Sequence, residues 1–137
     1  MKKVLILEDE PDYVNVLTQL LEPEDFKILA AGTLKEALNI LEMVTPDLLI
    51  VDWNLPDGTG IDFLKKVRAQ KKFNKVRIVM NSIRDSESDQ LTAYLEHADF
   101  YFTKPIKPEI FLGKIKKILE SESKFLKASN QKTLHDM

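Results

Sequence analysis

The chain of 137 residues contains no cysteine. That excludes disulfides, thiolate metal sites and thiol nucleophiles, and it is compatible with a reducing cytosol. Glycine is scarce, with four in all, and no Gly-rich phosphate loop follows the first apolar run. No apolar stretch approaches the ~20 residues needed to span a membrane. The opening Met-Lys-Lys resembles the basic start of a secretory leader, but only Val4 to Leu7 follow before the acids begin, too short for a leader's apolar core. Neither sign of charge dominates. The net charge is −2 with lysine and arginine scattered, so the electrostatic footprint of nucleic-acid binding is missing. The reading therefore expects no direct nucleic-acid contact within this chain and no membrane insertion. An apolar content of 44% and a charged content of 31% fit one ordinary globular domain. A chain of this size buries roughly 65–70% of its unfolded surface.

Strand and helix patterns alternate five times. Val4-Leu5-Ile6-Leu7 and Leu48-Leu49-Ile50-Val51 are short continuous apolar runs, the signature of strands buried on both faces. Phe26 to Ala31, Val76 to Met80 and Phe100 to Phe102 read as three more. The first helix opens at Pro11, carries Val14, Leu17, Leu20 and Leu21 at helical spacing, and stops at Pro23. Thr33-Leu-Lys-Glu36 is a capping-box pattern before a stripe of Leu34, Ala37, Leu38 and Leu41. Ile61, Leu64, Val67 and Arg68 suggest a third helix. A fourth runs from about Asp85 to Glu96, with a thin apolar face of Leu91, Tyr94 and Leu95. The fifth starts near Pro108 and turns Ile110, Phe111, Leu112, Ile115, Ile118 and Leu119 inward. Alternating βα units predict an α/β fold, a doubly wound five-stranded parallel sheet with helices on both faces. The strand orders open to it are flavodoxin-like 2-1-3-4-5 and Rossmann-like 3-2-1-4-5. Residues 121–137 are polar and weakly patterned, and read as a helix extension fraying into a tail.

The chemistry gathers where the strands end. The first strand runs into Glu8-Asp9-Glu10, and the third runs into Asp52, ahead of the turn at Pro56-Asp57-Gly58. Open α/β sheets bind ligands at the carboxyl ends of their strands. Glu8, Asp9 and Asp52 cannot crowd together as bare anions without raised pKa values, and a hard cation is the usual remedy. Mg²⁺, with its preference for oxygen ligands, suits the cluster better than zinc, because no histidine or cysteine is near. The plainer alternative is that Asp9 or Glu10 caps the helix beginning near Pro11. The fourth strand delivers Ser82 to the same edge and the fifth delivers Lys104. Alone, these read as a turn serine and a solvated surface lysine. At successive strand ends, a carboxylate, a metal, a hydroxyl and an ammonium make a site for a phosphoryl group, with Asp52 as the attacking group.

These residues carry a family resemblance over roughly residues 2 to 120. Val4-Leu-Ile-Leu-Glu8-Asp9-Glu10, Pro46-Asp47 through Asp52 with Leu55-Pro56-Asp57-Gly58, Ile78-Val-Met-Asn-Ser82 and Ala98-Asp99-Phe-Tyr101-Phe-Thr-Lys104-Pro105 resemble, in order and spacing, the receiver domains of two-component response regulators. The chemotaxis-regulator-like single-domain receivers are the nearest pattern. The resemblance implies the flavodoxin-like order 2-1-3-4-5 and a cytoplasmic signalling phosphoprotein. Asp52 would accept phosphate from the phosphohistidine of a sensor histidine kinase or a histidine phosphotransfer protein. Mg²⁺ would be held by Asp9, Asp52 and the backbone carbonyl of Asn54, with Glu8 acting partly through water. Ser82 would be the switch hydroxyl, Tyr101 the aromatic that moves with it, and Lys104 the partner of the phosphoryl oxygens, before a cis bond to Pro105. The output would be the surface of helix four, strand five and helix five, engaging a downstream protein or a second copy. The chain would be a phosphoacceptor rather than an enzyme, taking part in its own phosphorylation and slow dephosphorylation.

Several positions depart from the family pattern. Ile83 stands where a small residue usually follows the switch hydroxyl. Asn54, Ile83 and Arg84 lie where the family tunes the rate of phosphate loss. Asn81 replaces an apolar strand residue, and His97 replaces a glycine that would end helix four. Ile83 and Asn81 are the support for a rival reading, a receiver-like protein interaction domain that is not phosphorylated. An aspartyl-phosphate phosphatase is disfavoured because Asn54 stands where that chemistry needs a second acid. The receiver is expected over residues 1–120, and 121–137 hold no output domain. Either the chain is a stand-alone receiver or it is a piece of a longer regulator. Trp53 is expected to pack near the site, and Phe125, Leu126 and Leu134 could seat the tail on the domain or on a partner.

Overall fold

The computed structural model describes residues 1–121 and Phe125; Leu126 and Leu134 lie outside the described residues. Five strands form one parallel sheet: β1 (Lys2–Leu7), β2 (Phe26–Ala31), β3 (Leu48–Val51), β4 (Arg77–Ser82) and β5 (Phe100–Thr103). Their order is 2-1-3-4-5, which decides between the two orders open to the sequence. The register sets Leu7 beside Val51, Val51 beside Met80 and Met80 beside Tyr101. The carboxyl ends of four strands are thus nearly level, and residues just beyond them meet.

Side-chain alternation along each strand explains why the apolar runs are continuous. Leu5, Leu7, Leu49, Val51, Ile78 and Met80 face α2 (Leu34–Met43), α3 (Gly60–Arg68) and α4 (Glu87–Leu95). Val4, Ile6, Leu48, Ile50, Val79 and Phe102 face α1 (Pro11–Leu21) and α5 (Pro108–Glu120). The two faces of one sheet therefore bury two separate cores.

Helix ends follow local chemistry. Pro11 opens α1, and Pro23 sits in a 3-10 turn, Glu22–Glu24, just beyond its end. Thr33 caps α2 by accepting the Glu36 N–H at 3.1 Å, as the capping box predicts. The Glu36 carboxylate, however, accepts from Gly32 N–H at 3.1 Å, one residue further back. Ser86 caps α4 through the Asp89 N–H, so α4 starts at Glu87 rather than Asp85.

The expected inward face of α5 is corrected at Ile110, and the thin apolar face of α4 lies largely in solvent. Leu91 and Leu95 of α4 are 58% and 66% exposed, and Ala93 is the helix's buried residue. Leu91 and Leu95 of the thin apolar face thus point to solvent, and the small Ala93 is the residue that joins the core. On α5, Phe111, Ile115 and Leu119 are inward, Leu112 and Ile118 are partly buried, and Ile110 is exposed. Among the described residues, no helix is long and apolar enough to cross a membrane.

Candidate functional site

The ladder itself delivers the acids. Glu8 N–H donates to Ala31 O at 3.0 Å and Asp52 N–H donates to Leu7 O at 3.0 Å, so both residues continue the sheet by one step. Glu8, Asp9 and Asp52 each offer a carboxylate oxygen, and these lie within 4.8 Å of one another. Glu8 is buried, while Asp9 is exposed. Burial pushes the Glu8 carboxyl up to about 7; the neighbouring Asp52 adds to the shift and the Lys104 ammonium opposes it. One Asp52 oxygen accepts the Trp53 N–H at 2.7 Å. Glu10 is the N-cap of α1 but makes no capping hydrogen bond through its side chain, so the helix-cap alternative does not describe it.

Lys104 enters from the end of β5. Its N–H donates to Ser82 O at 2.8 Å, which carries the β4–β5 ladder one step further, and its bond to Pro105 is cis. Its ammonium pairs with Glu8 and lies 3.4 Å from Asp52 Oδ2. The side chain is 13% exposed, far from a solvated surface lysine. Three carboxylates against one ammonium leave negative charge in excess. All the donors are oxygens, and Asp9 opens to solvent, so the residues fit a hard divalent cation of the Mg²⁺ type.

The other residues singled out in the sequence form the rim. Ser82 is fully buried. Its hydroxyl accepts the Arg84 N–H at 3.2 Å. The Tyr101 ring is buried and its hydroxyl donates to Arg84 O at 2.7 Å. Arg84 reaches back across the site: its guanidinium stacks 4.9 Å from the Trp53 ring and donates to the Asn54 side chain at 3.3 Å. Ile83 is 72% exposed at this rim. Trp53 is buried, as expected of a packing residue.

Some supports are not apparent from residue patterns. Asn54–Leu55 pairs with Gly58–Thr59 in a tight hairpin, and Gly60 N–H donates to Trp53 O at 2.7 Å. A Cβ at Gly60 would sit 2.0 Å from Asp52 O, so only glycine lets α3 start against the acid-bearing loop. Asp57, read as a turn residue, also accepts the N–H groups of Leu34 and Lys35 at 2.8 and 3.1 Å, which hold its carboxyl below the usual range. Tyr13 donates its hydroxyl to Asn81, and the Lys104 ammonium sits 4.2 Å above the Tyr13 ring. Arg68, one of the residues that mark the third helix, is buried against Asp99 at 3.1 Å and donates to the carbonyls of His97 and Val76. None of these partners is close in sequence, apart from the hairpin.

Comparison with known proteins agrees with this geometry. The family model of the response regulator receiver domain matches residues 4–116. The phosphate regulon transcriptional regulatory protein PhoB of Escherichia coli K12 is 31% identical over 118 residues, which cover 86% of this chain and 52% of that protein. The KDP operon transcriptional regulatory protein KdpE of the same organism is 39% identical over 107 residues, 77% of this chain and 45% of that protein. The chain thus spans about half the length of these curated relatives. Among solved structures, a CheY-like response regulator receiver domain protein from Methanospirillum hungatei superposes with a TM-score of 0.81 at 28% identity, over 88% of this chain and 94% of that one. A two-component response regulator from Clostridium difficile gives 0.82 at 28% identity, over 88% and 97%. With the family match covering most of its length, the chain belongs to the response regulator receiver domain family.

Proposed function

We propose that the chain is a phosphorylation-controlled switch in two-component signalling, with Asp52 as the phosphoacceptor. The observation that carries this reading is the Lys104 ammonium, brought from the end of β5 to within 3.4 Å of Asp52 at the end of β3, with both side chains largely buried. An Asp52 oxygen would attack the phosphorus of a phosphohistidine on a sensor kinase or phosphotransfer protein. The new P–O bond replaces the P–N bond, and the imidazole leaves and takes up a proton. Lys104 meets the phosphoryl oxygens as charge develops on them. Mg²⁺ bound by Asp9, Asp52 and the Asn54 carbonyl, with Glu8 behind it, would supply further neutralisation of the transferring oxygens. Hydrolysis by water then releases phosphate and restores the carboxylate. On this reading the chain is a phosphoacceptor and not a turnover enzyme, and its partner chemistry places it in the cytoplasm.

The hydroxyl of Ser82 would exchange its Arg84 N–H for a phosphoryl oxygen. That N–H and the Arg84 carbonyl held by Tyr101 sit in one loop, so the exchange loosens the start of α4. The exposed Leu91, Leu95 and Ile110 beside β5 make an apolar output surface for a downstream protein or a second copy. Arg84, bridging Trp53 and Asn54, and the exposed Ile83 are assigned to setting phosphate lifetime and donor access.

The test is intact-mass measurement after incubation with Mg²⁺ and a small phosphoryl donor, repeated with a phosphorylated histidine kinase. One phosphoryl adduct is expected on the native chain, absent in Asp52→Asn and abolished by chelation. No adduct from either donor on folded protein would transfer support to the interaction-only domain.

A further inference from the structure

Asn81 stands where a buried strand would ordinarily carry an apolar side chain, and it is 1% exposed. It lies two residues beyond Val79 and so faces α1, whereas its neighbour Ser82 faces the opposite side of the sheet. Its amide N–H₂ donates to Phe102 O at 3.2 Å. That bond turns the amide oxygen outward, where it accepts the Tyr13 hydroxyl. Both ends of the buried amide are therefore satisfied, and the Tyr13 ring is tethered at its far edge to the central sheet. The near face of that ring lies 4.2 Å from the Lys104 ammonium. An ammonium has three donors and strong hydration. Here Glu8 and Asp52 take two directions and the ring face closes the third. Burial pushes the Tyr13 phenol up to about 12, so it stays a protonated donor throughout the working range.

We propose that Tyr13, anchored by Asn81, is a positioning residue for Lys104, holding its ammonium at the acidic cluster ready to meet a phosphoryl group. Lys104 ends a flexible four-carbon stem, and the tethered ring removes the direction in which it would otherwise swing to solvent. The catalytic significance rests on the phosphotransfer reading above; the placement of the ammonium does not.

The experiment has two arms. In the first, the Lys104 ε-methylene and ammonium resonances are assigned by NMR in the unphosphorylated protein. Ring-current shifts away from ordinary lysine positions are expected, with full loss in Tyr13→Leu/Asn81→Leu and partial loss in Tyr13→Phe/Asn81→Leu, where the ring stays but its tether goes. The double variants replace both partners of the Tyr13–Asn81 hydrogen bond together, and because Phe102 O also loses its Asn81 donor, each variant is first shown to be folded by its dispersed amide spectrum. Ordinary lysine shifts in the native chain, or shifts unmoved in Tyr13→Leu/Asn81→Leu, overturn the proposal. In the second arm, the rate of phosphorylation by a small donor at saturating Mg²⁺ is measured in native and Lys104→Met backgrounds. Loss of the ring should slow the native chain about threefold to thirtyfold and have no further effect without Lys104. Equal slowing in both backgrounds also overturns it. If the native chain accepts phosphate neither from the small donor nor from a phosphorylated histidine kinase while the NMR shifts respond as expected, the phosphotransfer reading fails and the positioning of Lys104 stands.

Discussion

At the scale of single residues, burial decides what each acid does. Asp9 is exposed and Glu8 is not, although they are adjacent. Glu8, raised to about 7 by burial, holds its proton in the folded chain where the unfolded chain has already lost it. Its contribution to folding without metal is therefore present below the ordinary glutamate range and is lost as pH rises through about 7. A cation must displace that proton. Mg²⁺ affinity, followed by Trp53 fluorescence, is expected to tighten roughly tenfold between pH 6 and pH 8 and to level off above. Glu8→Gln should flatten the dependence. His97 shows the same logic for the backbone. The sequence places it where a glycine would end α4, and it adopts φ 74 with its ring 4.9 Å from Phe125. His97→Gly should stabilise the fold by about 0.5–1 kcal/mol, since relief of the Cβ clash exceeds the added chain entropy. Denaturant titration reads this directly. A loss of stability would mean that the contact with Phe125 outweighs the strain. The acids, Ser82 and Lys104 were legible because each lies within two residues of the carboxyl end of an apolar run. Gly60 was not, since its reason is a backbone approach across the hairpin to Asp52 O. The buried ion pair of Arg68 was not legible either, because its partner Asp99 lies 31 residues away and only the fold makes them neighbours.

At the scale of elements, α4 differs from the other helices. Leu91 and Leu95 have the spacing of an apolar face, but periodicity reports that a helix has such a face and not what covers it. Nothing on the described chain does. Among its attachments are Ala93, the Tyr94 hydroxyl accepting the Tyr101 N–H of β5 at 3.1 Å, and the loop bond from Tyr101 to Arg84. By contrast, α5 seats Phe111, Ile115 and Leu119 in the core. Few buried apolar contacts imply a low free energy of local opening. In hydrogen exchange, α4 amides should exchange faster than those of α5, with Tyr94→Phe increasing exchange in α4 while α5 is unchanged. Protection of α4 equal to that of α5 would contradict a switch element there. Edge strand β5 gains from the same contact, because the Tyr94 hydroxyl covers an outward N–H that would otherwise invite another strand.

At the scale of the whole molecule, one sheet joins two cores and leaves its charge imbalance at one end. The alternation of βα units made the sheet readable, whereas strand order needed either the family resemblance or the structure, since two windings share one local pattern. The end of the sheet holds Glu8, Asp9 and Asp52 against Lys104, an arrangement that a protein selected for stability alone would not keep. Asp52→Asn removes one like charge, leaves Lys104 its pairing with Glu8, and retains an oxygen for the Trp53 N–H. The metal-free variant should therefore unfold at higher denaturant than the native chain, by about 1 kcal/mol. Mg²⁺ should reverse the order. Binding only to the folded state, it stabilises the native chain by about 1.4 kcal/mol at a free concentration ten times its dissociation constant, and the variant by less because a ligand is gone. Paired denaturation curves with and without chelator give all four values. An Asp52→Asn chain less stable than the native one without metal would mean that the Lys104 contact to Asp52 outweighs the repulsion, and that the site is a structural ion-pair cluster rather than one strained for chemistry.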